Sequence, residues 1–259
     1  MPNFAANLTF LWTEHPFLDR FEHAARAGFR GVEFHFPYEL DPYAIKSRLD
    51  VFRLSSVLHN LPVGDTNSGE FGLACVPGRE TDFKSHVAAA IEYALKLGTL
   101  RCNCLVGNVA EGADRREVEA VLIRNLRYAG REFSKVGLAL MVEPLNNVDM
   151  PRFALNTAAE TIAILDQVDL DNVKLQYDFY HMHLMGDDIA QVLPKLLQFP
   201  ARIGHVQFAD APGRHEPGTG EIPFAPLFSQ LDRLGYQGWV AAEYRPSGLT
   251  NDSLRWFRG

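Results

Sequence analysis

The chain has 259 residues, 47% of them hydrophobic and 22% charged, with a formal net charge of −7. Such a length suits one large domain over 1–259, able to withdraw about 70–75% of its unfolded surface from water without a metal or disulfide. The acidic balance, with no stretch that combines clustered Lys/Arg and stacking aromatics, excludes a protein built to grip phosphate backbones, so nucleic acid is not an expected partner.

Short β-rich runs alternate with amphipathic helical runs from end to end. In chain order the first half predicts strand Phe4–Leu11, helix Pro16–Gly28, strand Gly31–His35, helix Asp41–Arg53, strand Leu54–Asn60, helix Thr81–Gly98, strand Arg101–Val106 and helix Arg115–Gly137. The second half predicts strand Leu138–Glu143, helix Asn156–Val168, strand Val173–Asp178, helix Asp188–Phe199, strand Ile203–Phe208, helix Pro223–Gly235, strand Trp239–Tyr244 and a short closing helix near Asn251–Arg258. Thr81 and Asn156 are the expected N-caps. Gly28, Gly98, Gly137 and Gly235 stand where left-handed helix ends are expected. Eight strands, each followed by a helix, imply parallel pairing with right-handed crossovers. The count of eight, and the lack of a glycine-rich phosphate loop after the first strand, favour an α/β fold closed as a (β/α)8 TIM barrel over an open doubly wound sheet.

Cys75, Cys102 and Cys104 are an odd set, and Cys102-x-Cys104 is too close for the usual paired-thiolate metal spacing. Strand alternation instead makes the last two buried apolar groups on one face. The first residues lack the basic and apolar stretches of a signal peptide. No apolar run reaches the ~20 residues that a membrane span needs. The reduced cytoplasm is therefore the expected compartment, with no membrane partner.

In such barrels the reacting groups gather at the C-terminal strand ends. Four strand ends finish in a potential metal ligand: Glu143, Asp178, Gln207 and Glu243. Alternation puts Lys174, Gln176 and Asp178 on one face of their strand, opposite Val173, Leu175 and Tyr177. On the next, His205 and Gln207 oppose Val206 and Phe208, so the polar sets are expected inside the barrel. Three carboxylates on one rim repel each other unless a cation compensates, and an all-oxygen donor set suits Mg²⁺ or Mn²⁺. His181, three residues beyond Asp178, is a candidate donor to a substrate oxygen. Arg214, in the long loop Asp210–Glu221, is a candidate fork for a substrate carboxylate. His59 ends the third strand and can serve either the site or the packing. The insertion Pro62–Glu80, with Asp65, Glu70 and Arg79, reads as a lid.

The sequence resembles the hydroxypyruvate isomerase family, within the xylose-isomerase-like barrels, along nearly its whole length. The marks are Phe4-Ala-Ala-Asn-Leu8, Gly31-Val-Glu-Phe34, Leu58-His-Asn-Leu-Pro62, Pro77-Gly-Arg-Glu80, Val142-Glu-Pro-Leu-Asn146, Gln176-Tyr-Asp-Phe-Tyr-His181, Gly204-His-Val-Gln207, His215-Glu-Pro-Gly-Thr-Gly-Glu-Ile222 and Gly238-Trp-Val-Ala-Ala-Glu-Tyr244. No single tetrapeptide is specific; their order and spacing together are.

The resemblance implies one divalent metal held by Glu143, Asp178, Gln207 and Glu243, with Glu143 and Glu243 as the proton-transferring pair. His181, Arg214 and His59 would bind substrate. The implied reaction interconverts hydroxypyruvate and 2-hydroxy-3-oxopropanoate (tartronate semialdehyde) through an enediolate, within glyoxylate metabolism. Related ketose epimerases commonly have histidine where this chain has Gln207, and a substrate-binding glutamate where it has Asp149. The alternatives are a 2-oxo-tetronate isomerase, a ketose 3-epimerase, and a silent metabolite-binding barrel. A hydride shift rivals proton transfer, and a homo-oligomer is a family-level expectation.

Overall fold

The computed structural model describes residues 1–198 and 202–258, without the side chain of residue 258. Eight strands close into a parallel barrel in sequence order: β1 (Asn3–Asn7), β2 (Gly31–Phe34), β3 (Ser55–Asn60), β4 (Arg101–Cys104), β5 (Ala139–Val142), β6 (Val173–Asp178), β7 (Ile203–Phe208) and β8 (Trp239–Ala242). Around them run α1 (Arg20–Ala27), α2 (Pro42–Phe52), α3 (Glu80–Leu97), α4 (Arg115–Ser134), α5 (Ala158–Val168), α6 (Phe179–Leu184), α7 (Ile189–Leu197), α8 (Phe224–Arg233) and α9 (Arg255–Arg258). β6 and β7 keep the predicted bounds and β3 loses only Leu54, but β1, β2, β4, β5 and β8 end earlier than the sequence predicts because their runs continue into the following turns; Leu8–Leu11 already turns away from β1. The short helix α6 escaped prediction, since its six residues are too few to show a helical period. The expected helix end at Phe199 lies outside the described residues.

Two caps differ from expectation. α3 starts one residue before Thr81, and Arg79 at its N-cap gives no side-chain cap bond. At α5 the cap is Thr157, not Asn156. Its hydroxyl accepts from Glu160 N (3.2 Å), and Glu160 Oε2 accepts from Thr157 N (3.1 Å), forming a capping box. Gly28, Gly98, Gly137 and Gly235 all adopt positive φ at or just past helix ends, as expected.

Apolar residues facing the helices make the main core, which includes Val173, Leu175, Tyr177, Val206 and Phe208. A smaller cluster of Ala5, Val57, Leu58, Met141 and Ala241 fills the bore. Strand pairing is interrupted twice. Val32 pairs with Ser56 but Glu33 pairs with Leu58, which leaves Val57 as the extra residue of a bulge. Likewise Leu175 pairs with Ile203 and Gln176 with His205, which leaves Gly204 extra. A Cβ at Gly204 would lie 2.9 Å from Lys174 Cβ and 2.5 Å from Met141 Sδ, so a side chain there would force its neighbours to shift.

The polar interior is paired. Glu33, fully buried, accepts from Asn7 Nδ2 (2.8 Å) and Gln207 Nε2 (2.6 Å), and contacts His205 Nε2 (2.7 Å). This pairing offsets the cost of a buried carboxylate. The last residues close the wall: Phe257 stacks on Phe29 at 4.3 Å, and Trp256 meets Phe4 edge-on at 5.2 Å. No helix among the described residues is long and apolar enough to cross a membrane.

The capping box is the most local of these devices, and its worth can be measured. Thr157→Ala should cost about 1 kcal/mol, lowering the melting temperature by about 2–4 °C for a chain of this size. Parental melting in this variant would show that α5 is held by packing alone.

Candidate active site

Four strand ends deliver their polar groups to one rim. Asp178 ends β6 and pairs in register with Gln207 on β7, while Glu143 and Glu243 directly follow β5 and β8. All four are buried. Ligating atoms of Glu143, Asp178 and His181 lie within 4.8 Å of one another. Gln207 Nε2 stands 3.4 Å from Glu243 Oε1, and its Oε1 accepts from Gln176 Nε2 (2.6 Å), keeping a second lone pair. Above them opens a cleft of about 610 Å³, lined among others by His35, Phe71, Glu143, His181, Arg214 and Glu243.

Charge is distributed unequally among the carboxylates. Burial pushes Glu143 well above the usual carboxylate range, and the negative charges of Glu243 and Asp178 push it further. Asn103 Nδ2 donates to its Oε2 at 2.7 Å, and Arg214 pulls in the same downward sense, without reversing the shift. Burial also lifts Asp178, to about 7, against the opposing pull of Arg214. For Glu243 burial acts upward too, but Arg214, followed by His35, brings it down to about 2. Its Oε1 takes His35 Nε2 (2.6 Å) and Asn7 Nδ2 (3.1 Å), while the Arg214 guanidinium pairs with Oε2. One rim thus carries a firmly ionised glutamate and one biased toward its protonated form.

Arg214 supplies the compensating cation. Its loop lies over the rim, as its expected role requires, and its guanidinium also sits 3.8 Å from Asp178 Oδ2. Among the described residues Asp178 Oδ2 is buried and accepts no hydrogen bond, while Oδ1 caps Tyr180 N at 2.8 Å. An unpartnered buried carboxylate oxygen, surrounded by further oxygen donors, fits a hard divalent cation. Glu143, Asp178 and Glu243 offer carboxylate oxygens for one, whereas Gln207 turns its amide nitrogen toward Glu243 and would have to rotate to add its carbonyl.

His181 has a different part. Asn146 Oδ1 accepts from Val148 N (3.1 Å) and Asp149 N (2.8 Å), which settles the orientation of that amide. Asn146 Nδ2 (2.7 Å) and Asn146 N (3.2 Å) therefore both face His181 Nδ1 as donors. Nδ1 must accept, so the hydrogen of the neutral ring sits on Nε2, 3.7 Å from Asp178 Oδ2. Burial, then Arg214, pushes the imidazole down to about 3, keeping it neutral. That tautomer makes Nε2 a hydrogen-bond donor at the cleft rather than a metal ligand. Asp149, also at the cleft, accepts from Tyr180 Oη (2.9 Å) and Asn146 Nδ2 (3.0 Å).

His59 requires a correction: it does not reach the cleft. Its ring is fully buried against Phe34, Tyr38 and Tyr93, with centroids 6.0–6.4 Å apart. The bulge at Val57 advances the alternation by one step, so Asn60 lines the cleft and His59 turns toward α3. Burial pushes its imidazole down to about 4. Residues 62–80 stand at the mouth, where Phe71 lines the cleft. Arg79 pairs there with Glu70 and Asp82, and Glu70 Oε2 accepts from Asp65 N (2.8 Å). Those three expected lid residues knit the segment to itself and its helix.

Sequence reasoning missed His35, Asn7, Asn60 and Asn103. The rule that singled out Glu143 and Asp178 would have found His35 and Asn60 had it been applied to the second and third strands, whereas Asn7 and Asn103 escaped it because their strands were expected to run on to Leu11 and Val106.

The His181 assignment has a direct check. Nitrogen NMR on histidine-labelled protein should show a protonated Nε2 and an unprotonated Nδ1 for His181; the opposite tautomer would remove its donor role.

The sequence pattern of the xylose isomerase-like TIM barrel family matches residues 21–259. The chain is 45% identical to the hydroxypyruvate isomerase of Escherichia coli (strain K12), over 99% of this chain and 98% of that one. It is 42% identical to the 2-oxo-tetronate isomerase of Cupriavidus necator, over 100% of this chain and 98% of that one. A solved Brucella melitensis structure, described as an AP endonuclease, family 2, superposes with a TM-score of 0.96 at 41% identity, covering 100% of this chain and 98% of that chain. With its closed barrel and its acidic rim, the chain belongs to the xylose isomerase-like TIM barrel family, on the branch that holds hydroxypyruvate and 2-oxo-tetronate isomerases.

Proposed function

We propose that this chain is an isomerase interconverting hydroxypyruvate and 2-hydroxy-3-oxopropanoate by proton transfer. The observation that carries the reading is the pairing, in one cleft, of an ionised Glu243 with a Glu143 biased toward its protonated form, facing the guanidinium of Arg214. Its full-length likeness to enzymes of this activity supports the substrate class.

Glu143, Asp178, Gln207 and Glu243 would hold a divalent ion, Mg²⁺ or Mn²⁺ on the hardness of their oxygens. Bound there, the ion would stabilise negative charge on the two substrate oxygens. Arg214 receives the substrate carboxylate as a planar fork. The Nε2–H of His181 donates to a substrate oxygen. Glu243 takes the proton from C3, the carbon beside the ketone, giving an enediolate. Glu143 returns a proton to C2 while the hydroxyl hydrogen passes from O3 to O2, and the roles reverse in the other direction. Three buried free thiols suit the reduced cytoplasm.

A second substrate has its own support. A cleft of about 610 Å³ falls in the range of pockets that take ligands larger than a three-carbon acid. A four-carbon 2-oxo-tetronate therefore fits the same chemistry, as named for the Cupriavidus relative. Turnover rates on hydroxypyruvate and 2-oxo-tetronate, measured side by side, decide between them.

Glu243→Gln should keep the fold and lose at least about two orders of magnitude in kcat, the usual worth of a positioned acid or base. Near-normal turnover would remove Glu243 from its role. During turnover in deuterated water the product should take up solvent deuterium; absence of label would favour a hydride shift. Metal binding should also depend on pH. Asp178 is raised to about 7 in the folded protein and has no part in proton transfer, so its proton must leave when a cation enters. The rise in melting temperature on adding Mn²⁺ should therefore be larger at about pH 8 than at about pH 6. A rise that is equal at both would contradict ligation by Asp178.

A further inference from the structure

The loop between β7 and α8 is organised around one buried carboxylate that the proposed reaction does not use. Asp210 is fully excluded from solvent. Its Oδ2 accepts the backbone N–H groups of Gly218 (2.8 Å), Thr219 (3.1 Å) and Gly220 (2.8 Å). Its Oδ1 accepts those of Ala211 (2.9 Å) and Ile222 (3.0 Å). Two backbone bonds close the same loop, Asp210 N to His215 O (2.8 Å) and Glu221 N to Ala211 O (2.7 Å). The chain leaves Asp210, makes an arch, and returns to it.

That arch carries Arg214. Its backbone is left-handed, with φ of 58°, a conformation that costs energy for a residue with a Cβ and persists only where the surroundings enforce it. Its carbonyl accepts from Arg245 N at 2.8 Å. The guanidinium is held between the rings of Phe10 and Tyr180, 5.1 and 5.2 Å from their centroids. Its Nε is buried and has no hydrogen-bond partner among the described residues, so one donor of the fork is still to be satisfied.

We propose that Asp210 is a positioning residue for substrate recognition: by gathering five amides of the arch, it holds Arg214 in the strained conformation that presents its guanidinium to the substrate carboxylate. The inference rests on the reading above that Arg214 receives that carboxylate. An acid is required at 210 because every partner is a donor. In an asparagine at least two of the N–H groups would meet an –NH₂. Gly220 belongs to the same clamp. A Cβ there would lie 2.1 Å from Ala211 O and 2.7 Å from Asp210 Oδ1, so Gly220→Ala wedges the clamp open while the acid remains.

The test is a double-mutant cycle on the full chain with hydroxypyruvate as the probe. Asp210→Asn should raise KM about ten- to a hundredfold, the worth of a charged hydrogen bond, and lower kcat as well, because the displaced guanidinium also holds Glu243 ionised. In an Arg214→Lys background the same substitution should add less than about twofold, because the group it positions is already gone. An unchanged KM for Asp210→Asn, or an equal rise in both backgrounds, overturns the inference. Parental KM for Arg214→Lys alone would instead sink the assignment of Arg214 to the carboxylate. If Asp210→Asn does not fold, Gly220→Ala is carried through the same cycle with the same expectations. If the lysine variant is too slow to assay, the cycle is read from the melting-temperature shift that hydroxypyruvate produces.

Discussion

The site depends on how one guanidinium balances three buried carboxylates. Arg214 pairs with Glu243, stands near Asp178, and lowers Glu143 too little to overcome its burial. Charges in a water-poor cleft act strongly on one another, so a single cation placed off-centre divides three like groups into unlike ones. Glu243, with Arg214 and His35 on it, is the group held ionised; Glu143, with one amide, is the group pushed the other way. Acid and base are distinguished by neighbours rather than by residue type.

The barrel makes that balance possible through its interior. Below the rim, Glu33 is shared by Asn7, His205 and Gln207, and Gln207 in turn receives Gln176. Asn7 and Gln207 each donate to both Glu33 and Glu243, so the inner network and the reacting rim are joined through two amides. Amides that bond on two sides restrain both neighbours, which suits a site whose carboxylates must hold their places before a cation or substrate arrives. Farther down the bore the side chains become apolar, with Ala5, Met141 and Ala241 filling it.

Loops complete what the strands begin. The arch held by Asp210 brings Arg214 from outside the barrel onto Glu243, and the segment over residues 62–80 brings Phe71 to the same cleft. Strand ends supply oxygen donors, and loops supply the cation and the apolar wall. Relatives that share the barrel can therefore differ in substrate through their loops while keeping one acidic rim.

The sequence by itself determined the eightfold alternation, the barrel and the four polar strand ends. Each follows from local periodicity: period two tells which side chains share a face, and the closed parallel barrel tells which end carries chemistry. Faces were read correctly on β6 and β7 because Gln176, Asp178, His205 and Gln207 keep to one side even around the bulge at Gly204. On β3 the bulge at Val57 reverses every direction after it, and so His59 packs under α3 while Asn60 meets the cleft. Only the tertiary structure decided where Arg214 lies, that His35 bonds Glu243, and that Asn146 selects the tautomer of His181. These contacts join residues far apart in the chain, and the charge on each carboxylate depends on distances that no local period encodes.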